Sequence, residues 1–234
     1  MKLILPSFQA NLTAADLAFV SAVMSPDCND TQALHTLLFD SDTAHKILDS
    51  DRLFNAIIDH PHPLNISPHL FFYILVNHAL KEVGIYDEKI TDYLASLLSD
   101  KVRASQQPSV SPRNALFYAV DLLEKIQAAN HSERFFIMAQ IANQSLFVTG
   151  IFPHHLKQRA QSRAAPDISY YASMGRSHYK AAGDHRLAAE FQLENIFSVL
   201  GERFEEARQA LNHVGDNLVF LHDIDKHNLD PFLN

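Results

Sequence analysis

Fourteen histidines and one cysteine, Cys28, are the residues in this sequence with the clearest capacity for chemistry, because imidazoles and thiolates bind transition metals and move protons near neutral pH. A metal held by helices needs ligands three or four positions apart on one face. No Glu-x-x-His, His-x-x-x-His or His-Glu-x-x-His pattern occurs, which argues against di-iron bundles and zincins. Looser pairs remain: Asp42 with His45, His78 with Glu82, Glu190 with Glu194, and a tail holding His222, Asp223, Asp225, His227 and Asp230. Residue types without geometry specify little, so these read first as solvated faces, and no metal is assigned. A Gly-rich phosphate loop, a Gly-x-Ser-x-Gly elbow and a cysteine nucleophile setting are all missing. Motifs therefore name neither a reaction nor a cofactor.

His69 follows Ser67-Pro68, which places it in the first turn of a helix. There the helix dipole disfavours the imidazolium and keeps a neutral ring available as acceptor or base. Gln140, Asn143 and Gln144 share one face of an otherwise apolar helix; they line a polar pocket or mark the exposed side. Charge is also uneven. Residues 1–60 set Lys2, Lys46 and Arg52 against eight aspartates, whereas residues 154–186 set six basic side chains and four histidines against Asp167 and Asp184. A basic segment attracts an anionic ligand or meets the acidic part of its own chain or of a second copy. Within it Arg176 and Tyr179, with Tyr171 and His178 nearby, are candidates for a binding face.

The elements that must position these side chains are marked by their caps. Thr13 with Asp16 opens a helix that Ser25-Pro26 closes. Asp30, Asp42 and Ser50 are expected to cap short helices before the loop His60-Pro61-His62-Pro63. Ser67-Pro68 and Gly84 bracket a helix over 69–83; Asp87 opens another to about Ala104. Ser111-Pro112 starts one ending near Asn130, Ser132 and Gly150 bracket the next, Pro153 starts a basic one, and Asp167 and Gly183 enclose another. From Leu193 to Leu221 apolar residues alternate spacings of four and three, the seam of a bundle or coiled coil. A continuous helix over 184–222 would run about 58 Å, longer than a compact domain allows, so it breaks near Gly201 or projects. Gly201 and Gly215 lie on one flank of the seam, which packs inside the chain or across a dimer.

Period-two alternation of β-branched residues is absent. The class is all-α: a single-domain multi-helix bundle of about nine helices with a long C-terminal heptad-patterned segment. Residues 1–222 form the domain, with an acidic short-helix part over 1–60 and the main bundle over 67–222; 223–234 is a polar tail. A formal net charge of −8 disfavours nucleic acid and anionic membrane as partners. The lone cysteine suits a reducing cytoplasm, and the apolar run after Met1 is too short for a signal peptide. Residues 135–152 are apolar but carry Gln140, Asn143, Gln144, Ser145 and Thr149, as a buried helix would rather than a membrane span.

The phrases Ser67-Pro68-His69-Leu70-Phe71-Phe72, Ser145-Leu146-Phe147-Val148-Thr149-Gly150-Ile151-Phe152-Pro153 and Tyr170-Tyr171-x-x-Met174-Gly175-Arg176-x-x-Tyr179 resemble segments of a family of all-helical bacterial proteins without an assigned activity. The resemblance implies a bacterial cytosolic protein and brings no catalytic residues with it. Three functions are then open. The leading expectation is a non-catalytic interaction or ligand-binding protein acting as a homo-oligomer. The alternative is a small-molecule enzyme or sensor in which His69, Asn143, Tyr171 and Arg176 hold an anionic ligand between helices. The third is a metal-dependent hydrolase.

Overall fold

A computed structural model describes residues 3–6, 8–25, 36–38, 40–59, 64–105, 114–163 and 166–224. Among them there are thirteen helices and no strand: α1 Phe8–Asn11, α2 Ala14–Met24, α3 Ser41–Leu48, α4 Asp51–Ile58, α5 Pro68–Glu82, α6 Glu88–Ser105, α7 Asn114–Ala128, α8 His131–Ile151, α9 Pro153–Arg163, α10 Ile168–Gly183, α11 Arg186–Glu190, α12 Glu194–Glu202 and α13 Phe204–Ile224. Asp30, the His60-Pro61-His62-Pro63 loop, Ser111-Pro112, and the tail from Asp225 lie outside the described residues.

Most expected caps form, and two move. Thr13 and Asp16 make a complete capping box at α2. The Ser67 hydroxyl accepts the Leu70 N–H (3.1 Å) at α5. That helix ends with Gly84 N–H on the Lys81 carbonyl and Ile85 N–H on the Leu80 carbonyl, the paired bonds of a Schellman turn that the positive φ of Gly84 allows. Asp40, not Asp42, caps α3 through Thr43 N–H. Asn130, not Ser132, caps α8 in a second capping box with Glu133, and α8 continues past Gly150 to Ile151.

Two of the helices beyond the expected nine arise because 184–222 breaks twice. Arg203 interrupts it between α12 and α13, close to Gly201. The other break is at Gln192, whose φ of 57° puts it in the left-handed region without being glycine. Gln192 N–H on the Ala189 carbonyl and Leu193 N–H on the Ala188 carbonyl give a second Schellman turn. Folding the segment back removes the length problem, and Leu193, Phe197, Leu200, Phe204, Ala207, Leu211 and Val214 are all buried within one chain.

Helix α8 runs through the middle, packed by α7, α9, α10 and α13, while α5 packs on α6 and α13. Its positions 141–150 are all buried. Two glycines set the approach of its neighbours. A Cβ on Gly150 would lie 2.6 Å from Leu211 Cβ, and one on Gly175 of α10 would lie 2.5 Å from the Phe204 ring. The acidic N-terminal part attaches to the other side, on α5: Asp49 pairs with Lys81 and accepts the Asn77 amide at 2.6 Å. The basic α9 and α10 pack on α8, α12 and α13 instead.

No single helix among the described residues is long and apolar enough to cross a membrane; α8 and α9 meet the length and composition together but are bent by 90°.

Candidate functional site

Two buried polar clusters diverge from consecutive residues of α6. Asp92 starts the first. Its Oδ2 accepts the Phe8 N–H at 2.9 Å, and its Oδ1 faces His69 Nε2 at 3.1 Å, with the Ser96 hydroxyl at 3.4 Å. Three contacts thus converge on one carboxylate, and it orients the His69 ring through Nε2. The ring is 2% exposed, with the Phe8 ring 5.7 Å away.

Asp16 secures the same corner from another direction. It is fully buried and accepts Thr13 N–H at 2.8 Å and Ser67 N–H at 2.6 Å. One carboxylate thus ties the start of α2 to the start of α5, where His69 sits. Phe8 also packs on Tyr73 at 4.3 Å, and the Tyr73 hydroxyl meets His45 Nδ1 at 2.9 Å. Burial, with Asp92 nearby, raises the Tyr73 phenol well above its ordinary value, so it stays protonated.

Beside this corner lies a cleft of about 280 Å³. One wall is the extended strap Leu3–Leu5 with Asn11; the other is His69 with Ser96, Ser99, Asp100 and Arg103 of α6. The α6 residues recur at i, i+3, i+4 and i+7, one stripe of a helix. Asp92 lies one turn before them. Sequence reading found His69 but missed this stripe, whose signal was a polar ridge at helical period inside a helix otherwise buried over 90–99.

Tyr93 starts the second cluster, on another face of α6. Its hydroxyl donates to Asn143 Oδ1 at 2.8 Å, and the Tyr179 hydroxyl donates to the same atom at 2.7 Å. Both tyrosines are completely buried. The Phe197 ring lies 5.7 Å from one and 5.6 Å from the other. Burial pushes both phenols up, so both remain donors. Three helices, α6, α8 and α10, meet on one amide oxygen. Next to it the Gln144 amide accepts from Lys101 Nζ, which lies 5.2 Å over the Phe147 ring. Burial pulls the Lys101 amine down to about 8, with Asp100 opposing the shift.

The five candidates from the sequence divide among four places. His69 lines the cleft. Asn143 and Tyr179 bond to each other in the closed core. Tyr171 is buried on α10, its phenol raised by burial and lowered in part by Arg159. Arg176 is exposed and lowers the Glu205 carboxyl alongside Arg208, which hydrogen-bonds it. Five positions of separation put Tyr171 and Arg176 on different faces of α10. The face carrying Asn143 and Gln144 is buried rather than exposed, and its amides bond to side chains of the core instead of lining the cleft. Gln140 is half-buried at its edge.

Among the described residues no group of three or more His, Cys, Asp or Glu side chains is arranged to hold a metal ion. No protein-family model, curated protein or solved structure matches the chain.

Proposed function

We propose that this protein is a small-ligand-binding protein and that its site is the cleft between the N-terminal strap and α6. One observation carries this: a buried imidazole, held by a buried carboxylate at 3.1 Å, lines an open polar cleft of about 280 Å³. Concave sites with a few placed polar groups are where small molecules bind. Burying an ionisable pair costs free energy, which a function at the cleft would explain. Asn143, Tyr171, Arg176 and Tyr179 are not part of this site.

A thermal-stability screen of polar metabolites on the protein and on Arg103→Trp, a bulky side chain at an exposed position lining the cleft, tests the proposal. A ligand at a hundred times its Kd stabilises by about 2.7 kcal/mol. The expected result is at least one compound that raises the melting temperature of the protein and not of the variant. If every stabilising compound acts equally on both, the cleft is not the site.

The dyad of His69 and Asp92 supports a catalytic second reading, because a carboxylate-held imidazole can accept a proton from a bound hydroxyl or amine. Mass spectrometry of each binding compound after incubation tests it: conversion that disappears in His69→Asn supports catalysis, and recovery of unchanged compound removes it. The homo-oligomer no longer draws on the heptad seam from Leu193 to Val214, which is buried inside one chain. Light scattering at high micromolar concentration decides it, a monomer removing it.

A further inference from the structure

Taking the cleft as the binding site, we propose that its ligand is a short extended peptide, of about three residues, with a free C-terminal carboxylate. Its main chain pairs with the strap over Leu3–Leu5, and its carboxylate meets Arg103.

The strap carries the first half. Leu3, Ile4 and Leu5 are consecutive, and all three line the cleft. Successive side chains of an extended chain point to opposite sides. Three residues in a row therefore reach one space only where the main chain between them forms part of its wall. Leu5 precedes Pro6, which keeps it extended. Among the described residues no hydrogen bond reaches the main-chain N–H or carbonyl groups of Leu3, Ile4 or Leu5. Unpaired main-chain groups on an extended edge are a template for a second strand. The edge is also held in place: Leu3 and Ile4 pack against the core, and Phe8 N–H on Asp92 anchors the chain just beyond. An edge fixed beforehand loses less entropy on pairing than a free one.

Length and charge supply the other half. Three extended residues span about 10 Å. The facing stripe of α6 from Ser96 to Arg103 covers about 10 Å as well, so both walls match a tripeptide. Arg103 stands at the end of that stripe, is exposed, and makes no hydrogen bond or ion pair among the described residues. A guanidinium fork suits a carboxylate. The neighbouring lysine cannot take that role, because the Lys101 amine is held by Gln144 over Phe147. The anionic end of the ligand is thereby met on α6, outside the basic segment over 154–186.

Isothermal titration of the full chain at pH 7.5 tests the class with trivaline, its C-terminal amide, and its form methylated on both peptide nitrogens. Trivaline is chosen because β-branched residues favour the extended form. It should bind tightest, and the other two at least about tenfold more weakly, a difference of about 1.4 kcal/mol. Arg103→Ala, at an exposed position where folding is not at stake, should bring trivaline down to its amide and leave the penalty of methylation in place. If the amide binds as well as the acid, or the methylated form as well as the parent, the peptide reading is overturned. If none of the three binds while the thermal screen finds a compound that Arg103→Trp loses, the cleft stands as the site and the peptide is wrong. If the screen finds none either, both fail together.

Discussion

Asp92 and Tyr93 are neighbours on α6, yet the polar clusters they begin have opposite character. Around Asn143 the hydrogen bonds close on one another within the core: two phenols on one amide oxygen join three helices. Around Asp92 the carboxylate is matched as fully, but the imidazole it orients borders a cleft. A buried polar group that is satisfied on all sides rigidifies a core and specifies its packing. One that is satisfied on one side and borders a cavity is held ready for something else. The comparison separates a structural role from a binding role, although both were flagged by similar residue types.

Breaking the closed cluster should have the largest effect. Asn143→Leu leaves two buried hydroxyls without an acceptor, each worth about 1–3 kcal/mol, so urea unfolding should show a loss of about 3 kcal/mol. Adding Tyr93→Phe and Tyr179→Phe should recover part of it, because the stranded hydroxyls are gone. Gly175→Ala should cost about 2 kcal/mol, since its Cβ would fall 2.5 Å from the Phe204 ring. Asp92→Asn should cost less stability than Asn143→Leu, while abolishing binding of any cleft ligand in the thermal screen. A result in the reverse order would dissolve the distinction between the clusters.

Lys101 gives a pH test on the border of the closed cluster. Its amine is lowered from 10.5 to about 8 in the folded protein, chiefly by burial. Above pH 10.5 the amine is neutral whether folded or unfolded. As pH falls below that, the unfolded chain takes up a proton that the folded one resists, and stability drops until pH 8. Lys101→Met should therefore be more stable than the parent at pH 7 and lose that advantage above pH 10.5, as read by denaturant titration. The smallest expected change is at Gln192: Gln192→Gly removes a left-handed side-chain penalty of roughly 1 kcal/mol and should raise the melting temperature.

Local chemistry was legible in the sequence; long-range pairing was not. Ser67-Pro68 placed His69 correctly because a cap and a proline act on their own helix. Asn143 stood out as an amide in an apolar stretch, but its partners are 50 and 36 residues away. Nothing local marks Tyr93 or Tyr179 as donors to it. The α6 stripe was hidden because Ile90, Leu94, Leu97 and Leu98 dominate the helix and draw the eye to the core. The break at Gln192 carries no glycine, so the turn comes from packing of Leu193 and Phe197 rather than from backbone preference. Arg176 and Tyr171 share a segment but not a face, a distinction that charge counting alone does not make.

The most direct test of the contrast is nitrogen-15 NMR of the His69 imidazole during titration with a compound that the thermal screen finds for the cleft, with the Tyr93 and Tyr179 ring signals followed in the same samples. The expected result is that the His69 ring signals move on binding while both tyrosines stay still. An unmoved His69, or tyrosine signals that shift in its place, would contradict the assignment of the cleft as the site and the tyrosine cluster as its fixed support.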